Sequence, residues 1–107
     1  MWTIQFFNER VQKDINKWPV GIYADFLRIT ELMVEHGADL KMPISKALGK
    51  GLFELRCQGK EGIGRVLYCT MVNREIVLLH GFIKKTQKTP PHELEIAKRR
   101  MKEVHRG

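Results

Sequence analysis

Much of the usual apparatus of a catalyst is missing from this chain. It has two cysteines and four histidines in 107 residues. Neither Cys57 nor Cys69 stands at a metal-ligand spacing, and the histidines are scattered without a pair, which leaves no visible metal site. No Walker loop, Gly-x-Gly-x-x-Gly or nucleophile elbow occurs, so neither a bound nucleotide cofactor nor a serine nucleophile is indicated. No apolar run approaches the ~18–20 residues that span a bilayer. No charged segment followed by an apolar stretch opens the chain, so no signal peptide is visible. Repeats and low-complexity stretches are absent as well. What remains points to a cytosolic protein without membrane contact, folded as one domain over residues 1–107.

What is present is positive charge, unevenly placed. Nineteen Lys and Arg face twelve Asp and Glu, a formal net charge of +7. Residues 84–107 hold eight basic side chains against three Glu, a balance of +5, whereas residues 1–83 are nearly neutral at +2. A basic end of this kind suits a polyanion such as nucleic acid, or an acidic protein, although a solvated helix face is an equally simple reading.

Local patterns give the order β-α-α-β-β-β-α. Residues 2–7 read as a strand. Asn8 caps a first helix with Val11, Ile15 and Trp18 at helical spacing, and Pro19 ends it. A second helix begins near Ile22 and stops at Gly37. Residues 38–50 read as irregular, with one turn of helix around Ser45–Leu48. Strands follow over 51–58, 63–71 and 75–83, the last two joined by a turn at Asn73-Arg74. Thr89 then caps a basic terminal helix whose narrow apolar face is Leu94, Ala97, Met101 and Val104. The fold class expected is α+β: an antiparallel sheet with an N-terminal β-α-α unit, a three-strand meander and a C-terminal helix at its side.

Turn chemistry sets the register. A turn centred on Lys60-Glu61 places Arg56 directly opposite Arg65, and like charges so opposed are destabilising unless something separates them or an anion lies between. Carried across the next turn, the register pairs Arg65 with Phe82 and Leu67 with His80. One face then carries Glu54, Arg56, Arg65, His80, Phe82 and Lys84. The other carries Phe53, Leu55, Val66, Tyr68, Leu79 and Ile83 as a core against the first two helices. Two arginines can hold a phosphate bidentately, and an exposed Phe82 beside them can stack on a base. Glu54 is expected to pair with one arginine and aim it. The two cysteines fall on opposite faces, which excludes a disulfide and makes them free core thiols. His36 and His105 read as surface residues and His80 as a satisfied core histidine. His92, near Lys84–Lys88, is a candidate general acid or base.

At Leu52-Phe-Glu-Leu-Arg56, Arg65-Val-Leu-Tyr68 and Ile76–Pro90 the sequence resembles the RelE/ParE superfamily of bacterial toxins, and within it the HigB-type, phage-derived Gp49-like branch. The resemblance covers about residues 44–103. It implies a RelE-like fold and the toxin of a type II toxin–antitoxin pair. Such a toxin is an endoribonuclease that cuts mRNA on the ribosome without metal, by attack of the substrate 2′-OH on the adjacent phosphate. A helix-turn-helix, HigA-like antitoxin would neutralise it. By position, Arg56, Arg65, Lys84 and Lys85 match the family's catalytic cations. Gln87 and Lys88 are further candidates for binding RNA, and Lys46 and Lys50 for reaching ribosomal RNA. Two rival functions stay open: a ParE-like toxin that poisons gyrase, and a non-catalytic RNA-binding module.

Overall fold

The computed structural model describes residues 1–38, 40–41, 43–85 and 88–106. Its elements run β1 (Thr3–Phe6), α1 (Glu9–Asn16), α2 (Val20–His36), β2 (Ser45–Gly49), β3 (Leu52–Gly59), β4 (Gly62–Met71), β5 (Glu75–Lys84) and α3 (Pro91–Arg106). The strands form one sheet in the order β1-β5-β4-β3-β2, a mixed α+β architecture. Strands β2 to β5 are antiparallel neighbours. The expectation of a wholly antiparallel sheet fails at one edge, where β1 runs parallel to β5. No tight turn joins those two strands, so no turn dictates their relative direction; the chain leaves β1 through two helices instead. No helix among the described residues is long and apolar enough to cross a membrane.

Residues 45–49 form a strand rather than an irregular segment with a helical turn. Lys50 and Gly51 both adopt positive φ, 55° and 86°. Two consecutive left-handed residues make the mirror-image turn whose twist suits a hairpin, so the chain before them pairs back onto β3.

The β3–β4 register is the expected one, with Arg56 opposite Arg65. Across β4 and β5, Arg65 pairs with Phe82 and Leu67 with His80, again as expected. Nearer the turn the register slips: Tyr68 pairs with Leu78 and Met71 with Glu75. Leu79 is thus an extra, bulged residue, and a bulge reverses which way the following side chains point. Contrary to the sequence reading, Leu79 leaves the α1–α2 face and Leu78 takes its place there.

Both faces of the sheet are covered, unequally. On the first, Val11, Ile15, Trp18, Ile22, Phe26 and Met33 close over Leu55, Cys57, Val66 and Tyr68. The sheet admits them closely at Gly64 and Gly81. A Cβ on Gly64 would stand 2.6 Å from Trp18 Cζ3, and one on Gly81 would stand 2.7 Å from Ile15 Cγ1. Tyr68, fully buried, donates from its hydroxyl to the Ala38 carbonyl at 2.5 Å and lies 2.6 Å from Ser45 Oγ, tying β4 to the start of β2.

Helix α2 lacks a side-chain cap of its own at Pro19. Glu61, from the β3–β4 turn, accepts from the Gly21 amide at 2.9 Å. That bond, before any other influence, lowers the Glu61 carboxyl below its ordinary value.

On the second face α3 lies across β4 and β5, not at the side of the sheet. Leu94, Ala97, Met101 and Val104 cover Leu52, Leu67, Cys69, Val77 and Leu79. Arg100 donates to the carbonyl of bulged Leu79 at 2.7 Å and sets its guanidinium over the Phe7 ring. Cys57 and Cys69 are free and lie in the two separate cores. Burial pushes their thiols up to about 12 and about 11 respectively, so both stay protonated and serve as small packing residues.

Candidate nucleic-acid interface

Helix α3 does not cover the whole second face. At the end of β3 and β5 remote from the β2–β3 turn it leaves a patch carrying Arg56, Arg65 and Lys84, with Lys46 entering from β2 opposite Glu54. These groups sense one another. The Lys84 ammonium is held below its ordinary value, first by desolvation and then by the nearby charges of Arg65 and Arg56, with a smaller contribution from Lys46. Four cations therefore converge around a single carboxylate.

That carboxylate, Glu54, is only 4% exposed. It accepts from Arg65 Nη1 through one oxygen and from the Thr89 hydroxyl through the other. The expected arginine partner of Glu54 is thus Arg65, whose side chain is itself 11% exposed. Arg56 stands opposite without an ion-pair partner among the described residues, which relieves the like-charge opposition on one side only. The buried Nε atoms of both arginines have no hydrogen-bond partner among those residues. Buried donors left unspent are costly.

Thr89 is therefore not the cap of α3. The helix starts at Pro91, and the amides of Glu93 and Leu94 donate to the Pro90 carbonyl. The Thr89 hydroxyl goes to Glu54 and pins the approach to α3 against the sheet. A second polar pin lies one turn on: His80 Nε2 donates to Glu93 Oε1 at 2.7 Å. The His80 ring also stacks on Phe82, 5.7 Å between centroids. Sequence reasoning marked His80 as a satisfied histidine but missed its partner. The signal was there in a lone polar residue within an apolar strand and a Glu in a helical first turn.

Phe82 needs correction. It was expected to be exposed and free to stack on a base, but it is 9% exposed and belongs to the core beneath α3. Covered by the helix, its ring presents no open face. Lys50 is exposed but lies in the β2–β3 turn, six positions along the chain from Arg56 and away from the cation cluster. Lys85 and Lys88 are exposed in the segment between β5 and α3. His92 is exposed in the first turn of α3, beside the Glu93 that holds His80. Gln87 lies outside the described residues. Among those described, His, Cys, Asp and Glu nowhere gather in threes that would hold a metal ion.

A patch of this kind can grip a phosphodiester. Two guanidiniums suit the fork geometry of phosphate oxygens, and Lys84 and Lys46 add charge at its border. The same donors would favour a phosphorane over a ground-state phosphate, because the charge that develops at phosphorus is the larger.

The sequence model for phage-derived Gp49-like proteins (DUF891) matches residues 13–102. No curated protein matches the chain.

Proposed function

The chain belongs to the phage-derived Gp49-like family, a RelE-like toxin family, and from that premise we propose that it is the toxin of a type II toxin–antitoxin pair acting as an endoribonuclease on translated mRNA. In this reading Arg56 and Arg65 hold the scissile phosphate, with Lys84 and Lys85 beside them. The substrate 2′-OH attacks phosphorus, the P–O5′ bond breaks, and the products are a 2′,3′-cyclic phosphate and a 5′-OH. Glu54 orients Arg65. Lys46 and Lys88 extend the grip to neighbouring phosphates. His92, being exposed and close in sequence to the pocket-side segment, is the candidate to move a proton at the attacking or leaving oxygen. The antitoxin is a helix-turn-helix protein of HigA type.

One observation carries the reading: two arginines stand opposite one another across β3 and β4, with Lys84 and Lys46 beside them and a single carboxylate, Glu54, among the four. A site that repels its own cations is complementary to an anion. The Arg56–Arg65 face argues against gyrase poisoning.

The test is induced expression followed by primer extension on a translated transcript. Codon-positioned cuts are expected from the unaltered chain and none from Arg56→Ala, which loses no ion pair and should fold normally. Full growth arrest by Arg56→Ala would overturn the site assignment. Gyrase-dependent DNA damage without transcript cleavage would overturn the activity.

A further inference from the structure

A cavity lies on the α3 side of the sheet, beside the β2–β3 turn. It is a groove of about 760 Å³ between the β2–β3 turn and the outer flank of α3. Its floor is aliphatic: Leu48 and Leu52 from the hairpin, Leu94 and Met101 from the helix. Leu48 is where β2 departs from regular pairing, between Ala47 and Gly49, and it packs among the residues under α3. Lys98, Arg99 and Lys102 stand exposed along one rim and Lys50 on the other, with Glu95 the one carboxylate in the lining.

Three occupants can be compared on these features. Single-stranded RNA would find the charge but no aromatic ring on which to stack its bases. A second copy of this chain would bring the same lysines and arginine to the same rim, setting like charges face to face. An amphipathic protein segment with two or three large apolar residues and flanking carboxylates satisfies floor and rim together, in the manner of a helix laid in a groove. Met101 adds an adaptable contact to such a floor.

We propose that this groove docks an acidic amphipathic segment of a partner protein. The inference rests on the toxin–antitoxin reading and gives the neutralising partner a place to bind that is separate from the catalytic arginines. The position also has reach. Along β2 the groove residue Leu48 lies two positions from Lys46, which faces Glu54 in the cation cluster. A segment that continues past the groove therefore runs towards the phosphate site.

The experiment uses the full chain, isotope-labelled, titrated with a designed peptide of about four helical turns. Its leucines follow an i, i+3, i+4, i+7 stripe and its flanks carry glutamates. A scrambled peptide of identical composition and a single-stranded RNA oligonucleotide serve as the other two probes. Amide shifts confined to residues around Leu48, Leu52, Leu94 and Met101 are expected, with binding about tenfold weaker for the scrambled peptide. The double variant Lys98→Glu, Lys102→Glu is expected to lose about tenfold in affinity for the designed peptide while its growth arrest is unchanged. Shifts centred elsewhere, equal binding of the scrambled peptide, no binding of the designed peptide, or RNA filling the groove would each overturn the proposal. A chain that binds the peptide in the groove but arrests no growth refutes the endoribonuclease reading alone. One that arrests growth with the groove empty refutes the docking alone.

Discussion

Strand β4 is shared by two unlike surfaces. On one, Gly64, Val66 and Tyr68 lie beneath α1, α2 and Trp18, with no gap wide enough for an added methyl at Gly64. On the other, Leu67 and Cys69 lie beneath α3 while Arg65, the next residue outward on that face, borders an open patch. The first surface carries the stability of a close-packed core. The second is divided: its apolar half anchors a helix, and its polar half retains donors that nothing in the described chain satisfies. A sheet with one fully packed face can tolerate unsatisfied charge on the other.

The comparison can be broken at Arg65 first. Arg65→Ala leaves Glu54 buried without its cation, and breaking a buried pair from one side costs about 3–5 kcal/mol. The double variant Arg65→Ala, Glu54→Ala should recover part of that loss in urea unfolding while remaining inactive in transcript cleavage. Recovery of cleavage in the double variant would show that Arg65 serves only to neutralise Glu54.

The close-packed face is tested next. Gly64→Ala forces its Cβ onto Trp18, a ring with little room to turn, and overpacking of this kind costs about 1–3 kcal/mol. Thermal unfolding should show the loss. An unchanged midpoint would mean that the α1–α2 cover yields more readily than its contacts suggest.

A smaller effect sharpens the electrostatic side. The Lys84 ammonium sits below its ordinary value of 10.5 because desolvation, Arg65 and Arg56 disfavour its charge. In the free chain, stability should therefore rise as pH climbs through the interval between the depressed value and 10.5, since the folded state binds fewer protons there. Affinity for an RNA oligonucleotide should move the other way, falling as the ammonium is lost. Lys84→Arg should flatten both profiles; a profile that ignores this change removes Lys84 from the anion site.

The least effect is expected at Glu61, which is fully exposed yet accepts from the Gly21 amide. Its carboxyl is held below 4.5. Its contribution is present above that value and is lost as pH falls through the lower folded one, so Glu61→Gln should remove only an acid-side component of the unfolding curve.

Much of this architecture was legible because its determinants are local. Lys60-Glu61 between two strands settled the β3–β4 register and with it the Arg56–Arg65 opposition. Asn8 does cap α1, its side chain accepting from the Val11 amide at 3.0 Å. The failures have physical causes of their own. Strand β2 was missed because its turn uses Lys50, a residue that rarely accepts positive φ. The parallel placement of β1 depends on tertiary packing that no short window contains. Phe82 was misread as exposed because the basic face was treated as bare. The apolar stripe of α3 already required a partner surface, and that surface includes Phe82. The candidate site was legible in its arginines and lysines, which alternation places together. Its internal wiring through Thr89 and Glu93 was not, since both bonds join residues far apart in sequence.

Glu54 occupies a singular place in that wiring, since one carboxylate restrains both Arg65 and the threonine ahead of α3. Movement at either end is thereby felt at the other. Lifting the leading end of the helix would release Thr89 and concentrate the carboxylate on Arg65; drawing Arg65 onto an anion would concentrate it on Thr89. By thermodynamic reciprocity, if a partner that displaces the helix changes the hold of Arg65 on an anion, the anion must change the hold of that partner in equal measure.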